Sequence, residues 1–243
     1  MPPMRRTPLL AALAAATLLS TLAALIPETL LAQRGRGGRG RGGGPPPTSF
    51  FITSAGTGDG ANYGGLAGAD AHCAQLAEAA GLPTPDGRSW RAYLSLPATD
   101  GRPAVNARDR IGAGPWHNAS GDQIAATVAD LHGDIRRDSN QITKLRALDE
   151  RGNQVNGFGD TPNTHDILTG SDSHGRAIAG ARDTTCSGYT SHADGEGSVM
   201  VGHHDRLGAE NTSWNSSHAS SGCSQASLAA SGGAGLLYCF AAN

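Results

Sequence analysis

Four cysteines, unevenly placed, constrain this chain more than any other feature. Cys186, Cys223 and Cys239 fall in the last third of the 243 residues, while Cys73 stands near the start of the part that can fold. None lies in CxxC spacing, so neither a structural zinc knuckle nor a thioredoxin-like redox site has support, and an even number reads as bridges. Three pairings are open to four cysteines. Whichever partner Cys73 takes, the bridge draws the beginning of the domain to its end.

Bridges need an oxidising compartment, and the N-terminal stretch supplies a route to one. Arg5 and Arg6 precede an apolar run of mostly Leu and Ala from Leu9 to Ile26, followed by Pro27 and a Leu30-Leu31-Ala32 site. This pattern predicts a signal peptide over residues 1–32, cleaved near Ala32, with no stable membrane insertion afterwards and a secreted or cell-surface location; a membrane anchor is the alternative, since the run is almost long enough to span a bilayer. Residues 33–47 hold little but Arg, Gly and Pro. Such a stretch buries no apolar surface and reads as a disordered linker. Its arginines resemble nucleic-acid-binding RGG tracts, but no aromatic is interleaved and an exported chain rarely meets nucleic acid, so that partner is not expected.

The domain proper is expected over 48–243. Six of the 19 basic residues (Arg5, Arg6, Arg34, Arg36, Arg39 and Arg41) and one of the 21 acids (Glu28) precede it, leaving 13 against 20. An acidic domain disfavours polyanionic ligands. Ser49 to Ser54 and Ser89 to Ser95 read as strands. Between them Leu66, Ala69, Cys73, Leu76, Ala77 and Ala80 share one helical face, closed by Gly81 and Pro83. Ile124, Val128 and Leu131 suggest a second, short helix. A long loop is expected from Asp134 to Asp166, and strands over Gly197 to Gly202 and Gly235 to Phe240.

Gly65-Leu66-Ala67-Gly68-Ala69-Asp70 through Cys73, Trp90-Arg91-Ala92-Tyr93-Leu94-Ser95, Leu168 to Arg176, Cys186, Cys223 and Leu237-Tyr238-Cys239 resemble, in order and spacing, the endostatin domain of collagens and exported bacterial endostatin-like proteins. The resemblance covers essentially Ser49 to Ala241. It implies an α+β, C-type lectin-like fold with two helices, paired first and last strands and a long irregular loop region. It also implies nested bridges, Cys73–Cys239 and Cys186–Cys223.

The same resemblance implies an exported binding module, recognising a carbohydrate in lectin fashion or, alternatively, an extracellular protein in adhesin fashion. In calcium-dependent lectins of this fold a Trp-Asn-Asp tripeptide supplies calcium oxygens. Here Trp214-Asn215-Ser216 stands in that place, and Ser216 is a poor ligand for a hard cation. No resident cofactor is therefore expected, with a calcium or zinc ion the only candidates. His203-His204-Asp205, with His192, His218 and Glu210 nearby, is the densest set of metal-ligand types, although strand alternation should turn His203 and His204 to opposite sides. The zinc histidines of collagen endostatin have no counterpart between Gly35 and Thr48. No HExxH, GxSxG or P-loop pattern is present, and an enzyme is not expected. Recognition is expected on the loops, through Trp116, His165, Asp172, His203, His204, Asp205, Glu210, Asn211 and Asn215. Trp214 belongs to the same set, with core packing beside a disulfide as its plainer role.

Overall fold

The computed structural model describes residues 46–82, 87–132, 139–180, 182–195, 197–208 and 212–242. The expected signal peptide, the linker up to Pro45, Glu210 and Asn211 lie outside these residues. Among the described residues no helix is long and apolar enough to cross a membrane.

The fold is α+β. Along the chain run β1 (Phe50–Ile52), α1 (Gly65–Ala79), β2 (Ser89–Ala92), a 3-10 turn (Ala107–Asp109), β3 (Trp116–His117), β4 (Gln123–Ala125), α2 (Val128–Leu131), β5 (Asp166–Leu168), α3 (Cys186–Tyr189), β6 (Met200–His203), β7 (His218–Ala219), α4 (Gln225–Ser231) and β8 (Gly233–Ala242). β8 is the spine of the main sheet, whose order is β1-β8-β5-β6-β7, with β2 also paired to β8. Its apolar run is continuous because both faces are covered. Leu237, Cys239 and Ala241 enter one buried cluster with Phe51, Cys73 and Trp90, whereas Leu236, Tyr238 and Phe240 enter another with Tyr93, Trp116 and Trp214.

First and last strands pair antiparallel, Phe50 opposite Phe240. Both bridges form in the nested arrangement, Cys73 to Cys239 and Cys186 to Cys223. The outer one fastens the buried face of α1 (Ala69, Cys73 and Ala77) to β8. Beside it, Asp70 accepts hydrogen bonds from Arg91 and Arg110 and from the Ala92 amide, which anchors α1 to β2.

Several elements differ from expectation. Ile124 belongs to β4 of a small hairpin, leaving α2 as the single turn Val128–Leu131. α4 was not anticipated, although Ser224 caps its N-terminus through the Ser227 amide and Gly232, at φ 103°, ends it. The described part of the long loop, 139–164, has almost no regular structure and is tied down by side chains instead. Asp149, for example, accepts the amides of Arg151 and Asn153, and Arg206 donates to the Ile142 carbonyl.

A candidate metal centre

Alternation in three neighbouring strands builds the site. Asp166 and His203 are direct partners in the antiparallel β5–β6 ladder, and Val201, two residues before His203, is opposite His218 on β7. Residues two apart share a face. Asp166, His203 and His218 are therefore delivered to one side of the sheet at its end. His165, just outside β5, escapes the alternation and stacks on His203 with ring centroids 4.0 Å apart. Gly202 lets β6 run close under the following loop, since a Cβ there would lie 1.8 Å from the Trp214 carbonyl oxygen.

Three imidazole Nε2 atoms converge on Asp166 Oδ1, at 3.3 Å for His165, 3.2 Å for His203 and 3.5 Å for His218. The His203 and His218 Nε2 atoms are 3.0 Å apart. Donor atoms of His165, Asp166 and His203 all lie within 4.8 Å of one another. Corners of a tetrahedron about 2.0–2.1 Å from a zinc ion are separated by about 3.3 Å. The site therefore has the dimensions of a zinc shell.

The other ring nitrogens decide the protonation. His165 Nδ1 faces Asp205 Oδ1 at 3.3 Å, His203 Nδ1 faces the Leu207 carbonyl at 2.9 Å, and His218 Nδ1 faces the Ala219 carbonyl at 3.1 Å. These oxygens can only accept, so each Nδ1 carries a proton, and in the neutral ring Nε2 presents a lone pair. Three lone pairs then face a carboxylate whose two oxygens are buried and lack a hydrogen-bond partner. That arrangement calls for a positive charge. Burial opposes ionisation of Asp166, but hydrogen bonds donated by the His203 and His218 rings, when the facing nitrogens carry a proton, outweigh it and hold the carboxyl below its ordinary value. Asp166 in turn raises His218, against the effect of burial. In the absence of a cation, protonation of His218 would supply the charge.

Asp205 organises the rim. Its carboxylate accepts the Phe158 amide at 2.6 Å and the Leu207 amide at 3.0 Å besides facing His165. Burial works against its charge, yet these partners hold it far below the carboxylate range. Gly208, at φ 109°, lies over the Cε1 edges of His165 and His203, where a Cβ would be 3.5 and 3.4 Å away.

Of the residues singled out in the sequence, His165 and His203 are both in the cluster. His204 turns the opposite way, as strand alternation requires, and its buried ring bonds the Asn156 carbonyl through Nε2. Asp205 is a support for His165. Trp116, Trp214 and Asn215, named among the expected recognition residues, are buried, and Trp214 takes the core-packing role. Trp116 packs edge-on against Phe240, Trp214 donates to the Leu131 carbonyl, and Asn215 donates to the Tyr93 hydroxyl. Asp172 caps a turn by accepting the amides of His174 and Arg176. His192 pairs with Asp59 at an exposed position. Asp166 and His218 complete the site, and Asp166 was missed. A signal for it exists in His165-Asp166 heading the apolar pair Ile167-Leu168, but only the strand pairing gives it meaning.

The chain matches no known protein family and no curated protein.

Proposed function

We propose that this chain is an exported, disulfide-stapled binding module of the endostatin-like, C-type lectin-like type, built around one zinc ion. The observation that carries the metal reading is the convergence of three Nε2 lone pairs on the unpartnered, buried carboxylate of Asp166. Imidazole nitrogens with one carboxylate oxygen suit zinc and disfavour calcium. Nested bridges, paired terminal strands and a long side-chain-tied loop support the fold assignment.

The module's partner is read as an extracellular protein in preference to a glycan. Trp116 and Trp214 are buried and give a sugar ring nothing to stack on, while Phe158 and Leu207 stand exposed beside the metal centre. Asp205 is engaged by His165 and two backbone amides, and His204 faces away from the cluster. This supports binding over catalysis.

Zinc titration of chelator-treated protein by calorimetry tests the reading. One equivalent should bind, and at a hundredfold excess over Kd the ion should add about 2.7 kcal/mol of stability, raising the thermal midpoint by several degrees. Asp166→Asn should lose at least a hundredfold in affinity. An unmoved midpoint and no heat at saturating zinc would overturn the proposal.

A further inference from the structure

The geometry points to an exchangeable outer coordination position on the metal centre, which takes a carboxylate attached to a short apolar body. This rests on the metal reading above. The three donors within 4.8 Å of one another, on His165, Asp166 and His203, have side chains no more than 5% exposed. His218 differs in kind, because its side chain is 42% exposed and it sits on β7, the two-residue strand that ends the sheet. A ligand held by a short terminal strand and facing solvent is the one that can swing aside without disturbing the buried three.

Charge selects the class of entrant. Within the coordination sphere Asp166 neutralises one of the two positive charges of a divalent ion, and the imidazoles are neutral. The second carboxylate, Asp205, lies on the far side of the His165 ring and is held by two backbone amides. An anionic oxygen entering where His218 stands completes the neutralisation.

The rim selects the body of the ligand. Among the described residues only Leu145, Phe158 and Leu207 are large, apolar and exposed, and two of these three border the site. Phe158, 54% exposed, has its ring centroid 5.7 Å from that of His165, and Leu207, 46% exposed, holds His203 Nδ1 through its carbonyl. Asp205 binds both their amides, so one carboxylate fixes a metal-ligating ring and the apolar flanks together. Exposed apolar groups placed by such a buried device are a recognition surface. A peptide C-terminus ending in an aromatic or branched residue has the required chemistry.

Cobalt(II)-loaded protein, whose visible absorption reports the coordination sphere, provides the test. Titration with 3-phenylpropionate should change the spectrum at a Kd about tenfold below that for acetate, the factor expected for partly burying a phenyl group. The corresponding alcohol, 3-phenylpropanol, should leave the spectrum unchanged. Phe158→Ala combined with Leu207→Ala should bind cobalt normally yet lose the advantage over acetate, and His218→Ala should bind the acid more tightly. A cobalt spectrum unmoved by saturating 3-phenylpropionate would show four protein donors closing the sphere. Equal affinity for acetate and 3-phenylpropionate would remove the apolar subsite. Failure to take up cobalt would instead overturn the metal centre itself.

Discussion

Asp166 and His203 face each other directly across the β5–β6 ladder, with Oδ1 and Nε2 3.2 Å apart. Directly opposed residues on one sheet face are the closest cross-strand neighbours the backbone can provide. The inner part of the candidate metal site is thus set by strand register, and a slip of one residue between β5 and β6 would turn His203 away from Asp166.

Asp205 would act on a cation held at Asp166 through His165. Asp205→Asn keeps the shape but weakens the hold on the Nδ1 proton, and loss of such an outer partner typically costs 10–100-fold in metal affinity. Competition titration with a zinc chelator should show a decrease in that range, with Asn better than Ala because its amide oxygen still accepts one of the two backbone N–H groups that Asp205 holds on separate oxygens. Unchanged affinity in both variants would show that the His165 ring is oriented by its stacking on His203 alone.

A second polar chain should govern acid sensitivity. His132 donates from Nδ1 to the Val128 carbonyl at 2.6 Å, which leaves Nε2 to accept from the Tyr93 hydroxyl at 2.6 Å, and Tyr93 accepts from Asn215. Burial lowers the His132 pKa from 6.5 to about 4. The folded state therefore binds fewer protons than the unfolded one between these values. The neutral form's contribution is complete above pH 6.5 and is lost as pH falls toward 4, a change of at most about 3 kcal/mol. Urea unfolding of chelated protein at pH 7 and pH 4.5 should show the loss, and His132→Gln should diminish it. An equal slope in the variant would assign acid sensitivity to other groups.

The inner bridge encloses two of the four candidate metal donors. Cys186–Cys223 spans 37 residues that include His203 and His218, while His165 and Asp166 lie outside that loop. Its loop length corresponds to about 4 kcal/mol in the chain-entropy model. Replacing Cys186 and Cys223 with Ala should therefore lower stability and zinc affinity together. Zinc affinity equal to wild type in the folded double variant would show that the sheet alone sets the site.

Local pattern made much of this architecture legible. The α1 face around Cys73, its closure near Gly81 and the apolar run of β8 are signals carried by neighbouring residues, and each appears close to its expected place. His203 and His204 likewise diverge as alternation requires. What escaped depends on partners distant in sequence. β5 is three residues long, shorter than any reliable periodicity, so Asp166 looked like the end of a loop. Density of ligand-type residues in His203-His204-Asp205 marked the neighbourhood but not the roles. Their roles follow from which face of β6 and its turn each one occupies. Trp116 escaped for a related reason: it sits in a segment rich in turn formers, yet its two-residue strand tucks it under Phe240.

Because β1 and β8 are antiparallel partners, the domain's two ends emerge close together, and the outer bridge joins positions 73 and 239 a short way inside them. A pull between the two ends would peel β1 from β8 like a zipper and then stop at the covalent link. The slack released on the N-terminal side, about 24 residues from Ser49 to Cys73, amounts to about 80 Å at full extension. Beyond that length the load would pass through the sulfur atoms and not through the 166-residue loop between them. The candidate metal site lies inside that loop, so a module tethered by one end and tugged at the other would stretch while that site carried no tension.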